Sequence, residues 1–306
     1  MSFCQDVKKE LCKLEEKKEC YEKAQLYGML SFSRSFPEDA QVFATENKFV
    51  AEHFAQSLAG MMGTFVTIHT DPRRLKENVP MYAVLIEDPH QRELLCEYFS
   101  ISATALNPEF TESPRCLAAF LRGLFLLSGS VTNPEKEYHL ELVAPNRMLA
   151  EEVFLLAQGM GIRFKLTKRK HSEILYLKES EQIEDFLTLI GSSKFALQLM
   201  DIKVMKDVRN KVNRVTNCET ANLDKTVSAS SSQVQDIRYI ESHAGLSFLE
   251  DDLRELAELR LENPELSLRE LSELLSTPLS RSGVNHRLKR ISAAADKLRQ
   301  RDGKQQ

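Results

Sequence analysis

The sequence predicts an α+β chain: two pseudo-symmetric halves in tandem, each mixing helices and strands, followed by a small all-α domain that ends in a helix-turn-helix. Three observations carry that prediction. Residues 20–200 contain an internal repeat. Residues 221–306 keep an apolar period of helical spacing, and their last segment reads as two short helices around a proline-marked turn.

Taken in order, residues 1–19 read as an N-terminal helix, with Phe3, Val7, Leu11 and Leu14 as its buried stripe. Residues 20–110 and 111–200 are the two halves. Each opens with a compact apolar helix, Leu26-Tyr-Gly-Met-Leu-Ser-Phe-Ser-Arg34 and Leu121-Arg-Gly-Leu-Phe-Leu-Leu-Ser-Gly129, so that Gly28 coincides with Gly123, Ser33 with Ser128 and Ser35 with Ser130. A glycine inside an apolar helix costs about 1 kcal/mol relative to alanine. Its recurrence predicts that two backbones approach closely, joining the halves about a pseudo-twofold axis. A second helix starts at Asn47-Lys-Phe-Val-Ala-Glu52 and again at Asn146-Arg-Met-Leu-Ala-Glu151, and ends at Gly60-Met-Met-Gly63 and Gly159-Met-Gly161. Alternating segments then read as strands, Thr64–His69 with Tyr82–Glu87 and Ile162–Thr167 with Glu173–Lys178. Short helices over Leu94–Phe99 and Ile183–Leu189 close the units, and Pro72–Pro80 reads as a longer loop in the first copy.

Residues 201–220 form a helical basic connector that continues from Phe195 and carries Lys203, Lys206, Arg209, Lys211 and Arg214. The run Ser228-Ala-Ser-Ser-Ser232 has the composition of a linker, yet Val227, Val234, Ile237 and Ile240 hold a helical period through it. That predicts a helix ending at Gly245. A further helix from Leu249 stops at Asn263-Pro264. Residues 221–306 thus make a four-helix domain whose last two members are the helix-turn-helix. In its first helix Ser267 and Glu270 form a capping box, and Leu268, Leu271 and Leu275 give one apolar face. Pro278 marks the turn, and Ser280 caps the second helix.

On that second helix Val284, Leu288, Ile291 and Ala295 form the inward stripe. Ser282, Asn285, His286 and Lys289 lie opposite, flanked by Arg281, Arg287 and Arg290. Hydrogen-bonding side chains ringed by cations suit base edges and phosphates respectively. Acidic residues dominate Glu250–Glu273, whereas Asp296 alone is acidic in Arg281–Arg301. A merely solvated hairpin has no need of that segregation, which favours DNA binding. In the second half Arg163, Lys165, Thr167 and Arg169 alternate along one strand face and offer a second contact to DNA; the matching Phe65, Thr67 and His69 are not cationic.

The net charge of −4 over 306 residues excludes a protein that coats nucleic acid throughout, so any such site is local. The N-terminus has no apolar signal region, and the most apolar stretch, Cys116–Leu127, is short and broken by Arg122, so a cytoplasmic, nucleoid-associated chain without a membrane partner is expected. The six cysteines form no Cys-x-x-Cys pair, and neither they nor the seven histidines fall at metal-ligand spacing. They read as reduced structural thiols. No cofactor, metal or small-molecule substrate is indicated.

The repeat resembles the LAGLIDADG homing-endonuclease fold, two αββαββα halves whose signature helices form the interface and whose sheets make a saddle over DNA. In that family an acidic residue at the eighth signature position holds the catalytic divalent metal. Here the position is Ser33 in one copy and Ser128 in the other. A neutral hydroxyl is a poor ligand for a hard divalent cation, so the resemblance implies lost metal-site positions and no enzyme. Such a front end joined to this tail is similar to the bacterial WhiA family, most specifically in Ala221-Asn-Leu-Asp-Lys-Thr-Val227 and Ser282-Gly-Val-Asn-His-Arg-Leu288. That resemblance spans nearly the whole chain. It implies a DNA-binding regulator of transcription, tied to sporulation in filamentous bacteria and to cell division and chromosome segregation in single-celled ones. Double-stranded DNA is then the partner, with other division or transcription proteins allowed. Two competing readings stand beside it: a division-associated scaffold with incidental DNA binding, and a residual nuclease.

Overall fold

The computed structural model describes residues 2–15, 18–33, 36–76, 79–170 and 172–302. By the density of its internal packing the chain divides into two units, residues 1–207 and 208–306. The first unit is the duplicated α+β part. Its helices are α1 (Phe3–Leu11), α2 (Glu19–Ser31), α3 (Lys48–Met62), α4 (Pro89–Phe99), α5 (Pro114–Ser128), α6 (Arg147–Gly159) and α7 (Ser180–Leu189). Its strands are β1 (Gln41–Thr45), β2 (Thr67–Lys76), β3 (Val79–Leu85), β4 (Gly129–Val131), β5 (Leu140–Ala144), β6 (Lys165–Arg169) and β7 (Ser172–Leu177). They form two antiparallel sheets, ordered β1-β3-β2 and β4-β5-β7-β6.

The second half therefore runs α5-β4-β5-α6-β6-β7-α7, the expected αββαββα order. The first runs α2-β1-α3-β2-β3-α4. Its counterpart of β4 would begin at Arg34 and Ser35, which lie outside the described residues, as does the expected match of Ser35 with Ser130. The repeated asparagines are the helix caps: Asn47 Oδ1 accepts from Phe49 N at 3.0 Å, and Asn146 Oδ1 from Leu149 N at 3.0 Å. Capping satisfies one of the orphan donors at each helix start. Gly63, at φ 64°, supplies the left-handed cap of α3.

The close approach predicted from the paired glycines is present. A Cβ added at Gly28 would stand 2.4 Å from Phe120 O, and one added at Gly123 would stand 2.1 Å from Gln25 O. Each glycine thus receives a carbonyl of the opposite helix. Around this seam Tyr27 stacks with Phe99, Phe110 and Phe120, and its hydroxyl oxygen accepts from Asn107 N at 2.6 Å. The two signature helices consequently sit at the centre of one core that continues from α1 into the start of the helix after α7.

Three local expectations change. The N-terminal helix ends at Leu11 rather than 19; Cys12 caps it, and Cys20 belongs to α2. The expected loop Pro72–Pro80 is largely strand, because β2 runs on to Lys76 and pairs with β3 as far as Val79. The connector 201–220 and the helix ending at Gly245 are parts of one element, α8 (Ser193–Ala244), 52 residues long and crossing the unit boundary. Gly245 ends it with φ 72°, as the sequence indicates.

Among the described residues no helix is long and apolar enough to cross a membrane. All six cysteines are free. Burial pushes the Cys12 thiol up to about 12, with the nearby Lys8 opposing the shift, whereas Cys20 and Cys218 are exposed. Reactivity follows the thiolate. A thiol reagent in mildly alkaline buffer is therefore expected to label Cys20 and Cys218 ahead of Cys12 in peptide maps. Equal labelling of Cys12 and Cys20 would contradict the raised thiol and partial burial of Cys12.

The second unit holds the last part of α8 with α9 (Asp251–Glu262), α10 (Leu268–Leu274) and α11 (Arg281–Asp302). Ile237, Ile240, Leu253, Leu256, Leu271, Leu275, Val284, Leu288, Ile291 and Ala295 form its own core. The four members of the stripe assigned to α11 are all in it.

Candidate nucleic-acid interface

The helix-turn-helix is built as its local sequence requires. Ser267 Oγ accepts from Glu270 N at 3.3 Å while Glu270 Oε2 accepts from Ser267 N at 2.8 Å, the reciprocal pair of a capping box. Ser280 Oγ accepts from Gly283 N at 3.2 Å and so starts α11. The loop between the two helices is tied back to α9, where Glu255 Oε1 accepts from Ser276 N at 2.6 Å. The Ser267 backbone N–H, the larger influence, and the Ser267 side chain hold the Glu270 carboxyl below the usual carboxylate range. A depressed folded-state pKa gives stability that is present above the unfolded value and lost as pH falls through the folded one. Ser267→Ala should lower the stability of the second unit by about 1 kcal/mol near neutral pH. That penalty should shrink in acid, as read from urea melts at two pH values.

With Val284, Leu288, Ile291 and Ala295 buried, the opposite side of α11 faces solvent. Arg281, Ser282, His286 and Lys289 are exposed there and Asn285 is half-buried. Among the described residues no carboxylate pairs with Arg281 or Lys289. The Ser282 hydroxyl lies 2.8 Å from that of Ser280.

Arg287 and Arg290 are placed differently from the other candidates. Arg287 Nε is 3.3 Å from Asp252 Oδ2, and its Nη1 donates to the Asp252 carbonyl at 3.3 Å. Arg290 Nη2 lies 2.6 Å from Glu250 Oε2, and its Nη1 3.8 Å from Asp252 Oδ2. Their first partners are thus the acids at the start of α9. Further along, Arg299 bridges Asp236 at 2.7 Å and Asp296 at 3.0 Å while lying over the Tyr239 ring. Part of the acid–base segregation that the sequence shows therefore closes on itself inside the unit. The sequence holds Glu250 and Asp252 in plain view, but their partners are distant along the chain.

The second candidate surface is the edge strand β6. Lys165 to Lys170 are exposed, as is Arg163, which precedes the strand. Their charge is partly met nearby: Lys168 is 3.7 Å from Glu173 and Arg169 3.7 Å from Glu141, both on the same sheet, and Lys165 is 3.8 Å from Glu179 at the start of α7. The cations themselves are exposed, although Glu173 and Glu141 are largely covered, and pairs at such long distances leave the cations able to exchange partners. In the first half, Thr67 and His69 occupy the matching strand.

Ser33 and Ser128, the positions at which the resemblance implies a lost metal site, lie at the ends of the signature helices. Ser33 is buried and its hydroxyl donates to the Val42 carbonyl. Ser128 Oγ donates to Leu124 O at 3.0 Å. Both hydroxyls donate to backbone acceptors: Ser33 ties the end of α2 to β1, and Ser128 bonds back within α5. Among the described residues no group of three or more His, Cys, Asp and Glu side chains gathers to hold a metal.

Comparison with known proteins follows the same division. The WhiA LAGLIDADG-like domain model matches residues 117–209 and the WhiA C-terminal HTH domain model residues 212–295. A relative from Clostridium botulinum (strain Hall), called "Probable cell division protein WhiA", is 38% identical over 313 residues, covering 98% of this chain and 99% of that one. The protein of the same name from Carboxydothermus hydrogenoformans is 38% identical over 310 residues, covering 98% of each chain. Among solved structures, the full-length WhiA crystal structure from "Thermatoga maritima" superposes with a TM-score of 0.60 at 24% identity, covering 97% of this chain and 99% of that one. That structural likeness speaks for the fold.

Proposed function

The chain belongs to the WhiA family, and on that footing we propose that it is a non-catalytic DNA-binding regulator acting in cell division. The observation that carries this reading is the exposed side of α11, where Arg281, Ser282, Asn285, His286 and Lys289 project from a helix whose other faces are locked to its own domain. Asparagine is suited to adenine edges, while arginine and lysine suit guanine edges and phosphates. The name of the relatives, cell division protein, supplies the process. The exposed cations of Arg163, Lys165 and Arg169 add a weaker contact along the backbone of the same duplex or a neighbouring one.

The reading is tested with the full chain. Fluorescence anisotropy on duplex DNA should show binding whose log affinity falls with log salt, with a slope of roughly −0.9 per phosphate neutralised. Mapping of chromosomal sites should lose its peaks when residues 221–306 are removed. Salt-independent binding, or peaks that survive the truncation, would overturn the assignment to α11.

The non-catalytic part of the reading is supported by Ser33 and Ser128, whose hydroxyls donate to backbone carbonyls where the resemblance would call for carboxylates. Incubation with supercoiled plasmid and magnesium or manganese is expected to leave the plasmid intact. Nicking that a chelator abolishes would refute the role assigned to Ser33 and Ser128.

A further inference from the structure

Between α8, α9, α10 and the start of α11 lies a cleft of about 440 Å³ whose lining includes Lys225, Ser230, Gln233, Arg260, Arg281 and Asn285. Its floor holds an unusual charge. Arg260 is only 2% exposed, yet among the described residues it forms no ion pair. Its Nη1 donates to Leu266 O at 2.7 Å, with Pro264 O and Ser230 Oγ at 3.5 Å, while the buried Nε–H has no acceptor. The carbonyl contacts explain how the arginine braces the turn after α9. They do not neutralise it, and a buried charge without a counter-ion is costly. Burial pushes the guanidinium below its ordinary value, against the opposing pull of Glu265.

The walls add to the same field. Lys225 on α8 is exposed and Arg281 stands at the first turn of α11; no carboxylate pairs with either among the described residues. Arg269 also lines the cleft but lies 3.6 Å from Glu273. Gln233 keeps a buried Oε1 without a donor. Two exposed cations, Lys225 and Arg281, therefore border a space of about 440 Å³ whose wall holds the buried charge of Arg260 and the orphaned acceptor of Gln233. An anion with several acceptor oxygens is the ligand such a set recognises, because charge-assisted hydrogen bonds are the strong ones.

We infer that this cleft is a binding site for a phosphoryl group flanked by a hydrogen-bond donor, the chemistry of a nucleotide, held over Arg260 by Lys225 and Arg281 with Gln233 receiving the donor. It goes beyond the DNA-reading face, although Arg281 and Asn285 belong to both. An occupant of the cleft consequently sits where it affects what α11 can touch. The phosphoryl group can come from a DNA strand or from a free nucleotide.

The test uses the full chain, with inorganic pyrophosphate and adenosine monophosphate as probes in calorimetric titrations. Both are expected to bind saturably, and Lys225→Ala and Arg281→Ala should each weaken binding about tenfold, the worth of one charge-assisted contact. These two positions are chosen because loss of the buried Arg260 would unbrace the fold. Absence of saturable binding, or binding that both variants leave unchanged, overturns the site. Displacement of the probe by duplex DNA assigns the site to the DNA strand, and simultaneous binding of probe and duplex assigns it to a free nucleotide. Probe binding by a chain that binds no duplex would sink the DNA-binding reading and leave the cleft standing.

Discussion

Gly123→Ala should be among the most destabilising single substitutions in the first unit. Alanine ordinarily gains about 0.5–1 kcal/mol over glycine inside a helix. Here the new Cβ would meet Gln25 O at 2.1 Å, Gln25 C at 3.0 Å and Met29 N at 3.1 Å, all backbone atoms of the facing helix. No side chain can rotate away to relieve those contacts. Either α2 and α5 must separate, opening voids beneath fully buried Leu26, Met29, Phe120 and Leu124, or the clash persists. Overpacking of this kind costs about 1–3 kcal/mol, and because backbone itself must move the upper end is expected. Gly28→Ala should behave alike, since its Cβ would meet Phe120 O at 2.4 Å. Gly60→Ala is the control: it lies in α3 with nothing within 4 Å of the added Cβ, and should be neutral or slightly stabilising. Urea-induced unfolding of the three variants checks this ordering. A Gly123→Ala protein as stable as Gly60→Ala would show that the two signature helices do not pack at this distance.

That pair of glycines also shows why some of the fold could be read from the sequence and some could not. A glycine recurring at the same step of an apolar helix reports a backbone constraint, which is local in sequence and survives as a residue type. The asparagine caps, the Ser267–Glu270 box and the buried stripe of α11 are local in the same way, since each depends on residues two to four positions apart. Strands β1, β4 and β5 carry weaker signals. β4 is 3 residues long and β5 is 5, too short to display a convincing alternation, and β1 is cut by an irregular register between Gln41 and Phe43. The unbroken course of α8 was hidden by Ser228–Ser232, whose composition suggests a linker until Ser230 is seen buried, its hydroxyl donating to Pro264 O. The candidate site divides by the same rule. The outward set on α11 follows from helical period, whereas the capture of Arg287 and Arg290 by Asp252 and Glu250 depends on tertiary packing of α11 against α9.

A comparison of Lys289→Ala with Arg287→Ala should separate the two kinds of cation on α11. Lys289 is exposed and, among the described residues, has no carboxylate partner. Its removal touches no packing, so stability should change by less than about 0.5 kcal/mol. If Lys289 meets a phosphate, affinity for duplex DNA should fall about tenfold at moderate salt, and the log–log salt slope should drop by roughly 0.9. Arg287 is the inverse case. Its side chain is 22% exposed, and its guanidinium lies against the Asp252 carboxylate and carbonyl, tying α11 to α9. Among the described residues, truncation leaves Asp252 with only the longer contact to Arg290 at 3.8 Å and removes largely covered methylenes, so a loss of about 1–2 kcal/mol is expected after allowance for solvent screening. Affinity of the fraction that remains folded should stay within about threefold of the parent, because a side chain already committed to an aspartate neutralises few phosphates. Thermal melts and anisotropy titrations on the same preparations read both effects. An Arg287→Ala protein with unchanged melting and a lost salt slope would mean that this arginine leaves Asp252 for DNA. The acidic start of α9 would then be the element that holds the recognition helix's charge in check until DNA arrives, rather than a permanent brace.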